Sequence, residues 1–255
     1  TAEAFVDYAE AVGRRLGDRV GHWMTHNEPW CVATLGYEEG HHAPAHRSAA
    51  EGLAASHHLL LSHGWAKEAL RSHVPGARVG LVLNLSPAHP ATDSEADRDA
   101  ARAFDGLFNR WYLEPLCRGR YPEDAVADRV RWGDLPPGPM PWVRPGDMEA
   151  VAVPCDFLGV NYYSRTVLKA GPGGRPVAAP PVPPEQRTEM DWEVYPQGLP
   201  ELLLRLHREY ETGPLYITEN GVAFPDPPPV GGRIHDPRRI DYLHAHLVAL
   251  HRALE

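Results

Sequence analysis

Two rhythms of apolar residues alternate along the chain. Short, nearly continuous runs occur at "HWMTHN" (22–27), "ARVGLVLNL" (77–85), "CDFLGVNYY" (155–163) and "PLYITEN" (214–220), and read as strands. Longer stretches with spacings of three and four lie at 1–16, near 48–73, and at 94–117, 197–210 and 236–254, and read as helices. In the first, Ala2, Phe5, Ala9, Val12 and Leu16 share a face; in the last, Ile240, Leu243, Leu247, Leu250 and Leu254 do. The stripe of Ala100, Ala103, Phe104, Leu107, Phe108 and Trp111 is read as core packing.

Strands alternating with helices imply βα units and a parallel sheet covered on both faces. The Pro/Gly-rich stretches 171–184 and 225–232 are flanked by pattern on both sides. They are read as surface loops, which leaves one domain over residues 1–255. A (β/α)8 barrel takes eight strands in about 250 residues or more. Four widely spaced strands therefore predict an α/β fold: a partial TIM (β/α)8 barrel with large βα loops. The first helical pattern is already under way at Thr1, and the last stops at Glu255 without a Gly, Asn or Pro exit signal. The expectation is a barrel truncated at both ends, whose unpaired edges favour poor solubility and association.

Composition narrows the function. The chain is 43% hydrophobic with a formal net charge of −9. No apolar run approaches the roughly 20 residues that span a bilayer, and no signal-peptide pattern opens the sequence. Cys31, Cys117 and Cys155 are scattered, with no CxxC, which suits reduced thiols in a cytoplasmic protein. The acidic balance and dispersed Lys and Arg argue against nucleic acid. His clusters occur at 41–46, 57–63 and 244–246, but no HExxH does, so no metal or cofactor is expected. The oligomeric state is not legible.

All four strand candidates end in polar residues: Asn27 and Glu28, Asn84, Asn161 and Tyr163, Glu219 and Asn220. Desolvating an unpaired carboxylate is costly, so each Glu needs a reason. One is a loop salt bridge or helix cap. The other is catalytic, because the carboxyl ends of barrel strands build the active site. Two carboxylates there are what glycoside hydrolysis requires. Glu28 precedes Pro29, which predicts an extended backbone at Glu28. Glu219 sits before Asn220–Gly221, where a sharp turn is available. Spacing alone leaves both explanations open.

Longer motifs go further. "THNEPWC" with "LGYEEGHHAP", "VGLVLNLSPAHP", "DFLGVNYYSR", and "LYITENG" with "GRIHDPRRIDYLHAHL" resemble the strand-four, strand-five, strand-six and strand-seven segments of glycoside hydrolase family 1, the β-glucosidase family. They occur in the family's order and cover essentially the whole chain. The resemblance implies a retaining β-glucosidase acting on a small-molecule β-glycoside. Glu28 would be the general acid/base and Glu219 the nucleophile. Asn27 would bond the sugar 2-hydroxyl, Tyr163 would hydrogen-bond and orient the nucleophile, and Asn84 and Asn161 would line the pocket. Trp192, in "MDWEVYPQGL", would wall the aglycone side or else pack in the core; Trp30 is assigned to packing. The family's strands one to three and eight, with their sugar-gripping Gln, His, Trp and Glu residues, have no counterpart here. A 6-phospho-β-glycosidase and a non-catalytic sugar-binding fragment stay open as alternatives, and the fragment alone is expected to be inactive.

Overall fold

A computed structural model describes residues 1–255. Its main sheet has four strands, β1 (His22–Asn27), β2 (Arg78–Asn84), β4 (Phe157–Asn161) and β7 (Leu215–Glu219), in the order β1-β2-β4-β7. β1 and β2 run parallel, with His22 beside Arg78 and Trp23 beside Val79. Asp156 N bonds Val79 O and Leu85 N bonds Asn161 O, so β2 and β4 advance together. Leu158 N to Pro214 O and Tyr162 N to Glu219 O do the same for β4 and β7. The two inner strands are buried along almost their whole length, while β1 and β7 are partly exposed. This is why β2 and β4 read as continuous apolar runs. The four predicted strands match these elements to within two residues at each end.

The chain divides into two compact units. The first holds residues 1–84, 106–160 and 210–216. Here α1 (Ala2–Leu16) packs on α2 (Ala49–His73), with Ala9, Ala66, Leu70 and Val79 at the centre and Phe5 and Trp23 closing over them. Ser48 caps α2 by accepting from Glu51 N at 3.3 Å. The second unit holds residues 85–105, 161–209 and 217–255. It contains a three-stranded sheet of β3 (Ala88–Pro90), β5 (Thr166–Ala170) and β6 (Pro176–Ala178), with α3 (Glu95–Asp105), α7 (Gly198–Glu209) and α8 (Pro237–Leu254). Arg205 of α7 forks onto Asp105 of α3 at 2.5 and 2.9 Å.

Three expectations change. The predicted helix at 94–117 is α3, a π-helical stretch at 106–110, and α4 (Trp111–Arg118). The wide turn follows Gly106, which packs against Ala125, and lets Arg110 form a two-pronged pair with Asp124 at 2.7 and 2.6 Å. The stretch 171–184 is not only loop, since β6 pairs antiparallel with β5. Gly173 and Gly174, at φ +65° and +74°, make the reversal, and Pro176 opens the outer strand. Two short helices, α5 (Glu123–Arg131) and α6 (Asp147–Val151), were not predicted, being too short for a clear period. No helix is long and apolar enough to cross a membrane.

Two predictions follow from the first unit. A Cβ on Gly64 of α2 would sit 2.0 Å from Ala150 O on α6. Gly64→Ala should therefore lower the unfolding free energy by about 1–3 kcal/mol in urea titrations. His63 is fully buried and His26 half-buried, neither beside a carboxylate, and loss of hydration lowers their pKa values to about 3 and about 4. Unfolding returns both towards their ordinary value of about 6.5, so the unfolded chain binds more protons below that pH. Stability should fall as pH drops from about 6.5 to about 4, with each histidine adding up to about 1.4 kcal/mol per pH unit to the slope. Urea midpoints across that range test this, and His63→Asn should flatten the slope.

Candidate active site

The polar strand ends fall into two groups, one per unit. In the first unit, Asn27 closes β1 and is exposed, and Glu28 follows it half-buried. Glu28 N donates to Val82 O of β2 at 2.9 Å, extending the β1–β2 ladder by one rung. Cys31 N donates back to Glu28 O at 2.9 Å and closes a turn over Glu28–Cys31. The backbone of Glu28 is left-handed, at φ +48°, and not extended as the Pro after it predicts. Ladder and turn together fix it there, in a region that costs a non-glycine residue on the order of 1–3 kcal/mol. Strain of this kind gathers where a side chain must be aimed. The Cys31 thiol donates to Glu28 Oε2 at 3.0 Å, and Asn84, at the end of β2, reaches Cys31 Sγ at 4.0 Å. Trp30 lies against Phe108, 4.7 Å between centroids, in a packing role.

Polar side chains of β1 bond across to α2. His26 Nε2 bonds Ser62 Oγ at 2.8 Å, and Thr25 Oγ1 bonds His63 Nδ1 at 2.7 Å, both across to α2. His63 Nε2 contacts Cys155 Sγ at 3.2 Å. In the other histidine clusters, His57 bonds Tyr121 and Asp147, His46 bonds Glu51, and His246 Nδ1 bonds Tyr242 O. No three His, Cys, Asp or Glu side chains form a group that could hold a metal ion.

In the second unit, Glu219 ends β7 and its carbonyl accepts from Tyr162 N at 3.0 Å. Its carboxylate Oε2 accepts a short hydrogen bond from the Tyr163 hydroxyl. Asn161, fully buried, accepts from Thr218 Oγ1 at 2.6 Å, locking β4 to β7 one residue before Glu219. Asn220 Nδ2 donates to Tyr162 O at 2.9 Å and reaches the Tyr242 hydroxyl of α8 at 3.2 Å. That hydroxyl also donates to Tyr163 O. Burial pushes the Tyr242 phenol up to about 12, so it remains a donor through the neutral range. Trp192 is 39% exposed, with its ring 5.3 Å from that of Tyr163.

Glu219, Tyr163, Asn161 and Trp192 thus gather in one unit, and Asn27, Glu28 and Asn84 in the other. Sequence reasoning passed over Cys31, Thr218 and Tyr242. Cys31 lies inside the quoted "THNEPWC" and Tyr242 inside "RRIDYLHAHL", but nothing in a sequence marks a thiol or a helical phenol as a strand-end brace.

The whole chain, residues 1–255, matches the family model for glycosyl hydrolase family 1. It is 38% identical to β-glucosidase A of Acetivibrio thermocellus over 258 residues, covering all of this chain and 56% of that protein. It is 44% identical over 265 residues to thermostable β-glucosidase B of Thermobispora bispora, of which it covers 52%. Among solved structures, a β-glucosidase from Exiguobacterium marinum superposes with a TM-score of 0.90 at 40% identity, over 98% of this chain and 56% of that one. The AHE enzyme from Alicyclobacillus herbarius gives 0.92 at 41% identity, over 99% and 56%. The chain therefore spans just over half the length of the relatives it matches, and its sheet is part of a TIM barrel. It belongs to glycosyl hydrolase family 1.

Proposed function

We propose that this chain carries the two catalytic carboxylates of a retaining β-glucosidase, in a single catalytic domain, with Glu219 as nucleophile and Glu28 as general acid/base. The observation that carries the reading is the hydrogen bond from the Tyr163 hydroxyl to the Glu219 carboxylate at the carboxyl end of β7. A phenol donating to one oxygen steadies the carboxylate and directs the other at an anomeric carbon. The left-handed backbone at Glu28 supports the same reading, since it orients a second carboxylate at the end of a strand in the same sheet.

The chemistry runs in two displacements. Glu219 attacks the anomeric carbon while Glu28 gives its proton to the departing glycosidic oxygen. The glycosyl–Glu219 ester is then opened by a water that Glu28 deprotonates, and the sugar leaves with its β configuration restored. Retention requires the two carboxyl groups to act about 5–5.5 Å apart. Asn27 bonds the 2-hydroxyl, where contacts strengthen as the oxocarbenium character grows, and Asn84 and Asn161 line the pocket. Trp192 forms the wall on the leaving-group side. The substrates are terminal β-D-glucosides, a reading supported by relatives named as β-glucosidases. This route requires no cofactor.

Kinetics on the full-length protein test the assignment. Glu219→Ala should abolish hydrolysis of aryl β-glucosides, and azide should restore part of it as the α-glucosyl azide. Normal turnover by that variant would remove Glu219 from the mechanism. Tyr163→Phe should lower kcat by about 10²-fold or somewhat less, the order expected for losing one preorganised donor. Glu28→Ala should slow substrates with poor leaving groups far more than dinitrophenyl glucoside, which departs without a proton. An equal loss on both would argue against a general acid.

A further inference from the structure

We propose that Arg165 and Glu193 are positioning residues for the leaving-group side of this site, their ion pair setting the indole of Trp192 against Tyr163. This rests on the reading of Trp192 as the leaving-group wall given above.

Trp192 sits at the end of a tight turn. Its N donates to Thr188 Oγ1 at 3.2 Å, its O accepts from Thr188 N at 2.9 Å, and Asp191 beside it is left-handed at φ +62°. Those bonds shape the turn internally. One further bond, Glu189 N to Ala223 O at 2.9 Å, ties its rim to the segment after β7. The ties to the segment after β4 come through the residue next to Trp192. Arg165 Nε and Nη2 fork onto the Glu193 carboxylate at 2.8 and 3.1 Å, and Ser164 Oγ donates to Glu193 O at 2.7 Å. Tyr163, Ser164 and Arg165 thus hold Trp192 and Glu193 in register, ring on ring and charge on charge.

The guanidinium is itself fixed. It lies 4.0 Å over the Tyr195 ring, and Nη1 is 3.0 Å from His89 Nδ1, which is turned by a 3.0 Å bond from Nε2 to Glu201. The Arg165 and Glu193 side chains are only 20% and 13% exposed, so the pair is little weakened by water. A planar fork that bonds on one edge and stacks on its face defines both distance and direction, which an ammonium cannot do. The arrangement suits a planar, apolar leaving group laid on the exposed indole, beside the tyrosine that serves Glu219.

The test compares aryl and methyl β-glucosides in the full-length protein. Glu193→Gln and Arg165→Lys should raise KM for the aryl substrate about ten-fold with kcat within about two-fold, the signature of lost uniform binding. KM for the methyl glucoside should stay within about two-fold. Trp192→Ala is the reference and should erase the same aryl preference. If Trp192→Ala erases it while both tether variants keep the parent ratio, the tether is refuted and the wall stands. If Trp192→Ala leaves the ratio unchanged, the wall reading itself fails. A second measurement needs no turnover. Trp192 emission, isolated by subtracting the Trp192→Phe spectrum, should move to longer wavelength and become more open to acrylamide quenching in Glu193→Gln. Unaltered emission and quenching would overturn the proposal.

Discussion

The last rung of each strand pair fixes the candidate residues at its end. A parallel sheet buried on both faces satisfies its backbone along the strands, but at the carboxyl ends the ladder must stop among polar residues. Here it stops with Glu28 N on Val82 O, Leu85 N on Asn161 O, and Tyr162 N on Glu219 O. Each of these bonds involves a candidate residue or its immediate neighbour. Their side chains therefore leave a backbone whose position is fixed by a hydrogen bond. A carboxylate on a free loop would pay a rotational cost every time it was aimed.

From that constraint the two carboxylates diverge. Glu219 is still within a strand, its backbone is regular, and its side chain is steered from outside by Tyr163. Tyr163 is steered in turn by Tyr242, which also holds Asn220. Glu28 lies one residue beyond its strand, and its direction comes from the backbone, which is forced left-handed between the ladder bond and the Cys31 turn. Glu219 is aimed by a phenol on a regular backbone, and Glu28 by a left-handed backbone with the Cys31 thiol on its carboxylate. The difference agrees with the roles proposed: a nucleophile needs a fixed anionic oxygen, whereas an acid/base must present its carboxyl to a leaving group and then to water.

The same contrast separates what the sequence made legible from what it did not. β2 and β4 are buried on both faces, so their apolar runs identified them and bounded them closely. Glu28 and Glu219 stood out as charges at strand ends, which spacing alone left open between an ion pair or cap and a catalytic role, and the flanking motifs then pointed to the family. The conformation of Glu28 was misread, because the local rule for a residue before proline was outweighed by two backbone bonds, one of them to a residue 54 positions away (82 − 28). Cys31, Thr218 and Tyr242 were silent because their role is a partner across space. β3, β5 and β6 were missed for a related reason: strands of three to five residues, two of them only three long, carry too little period to be seen and exist because they pair.

α2 shows how far that pairing reaches. Along its buried length lie Ser56, His57, Ser62, His63 and Lys67, positions that an amphipathic pattern would fill with apolar residues. Ser56 accepts from the Trp111 indole, His57 bonds Tyr121 and Asp147, and Ser62 and His63 hold His26 and Thr25. Only Lys67 Nζ among these has no hydrogen-bond partner. Buried polar groups cost free energy unless bonded, so a helix with this many is favoured only where its partners are exactly placed. Two of those partners are the residues immediately before Asn27 and Glu28. The helix therefore specifies the register of β1 more narrowly than a hydrophobic face could, since sliding the strand by one residue would strand both histidines without partners.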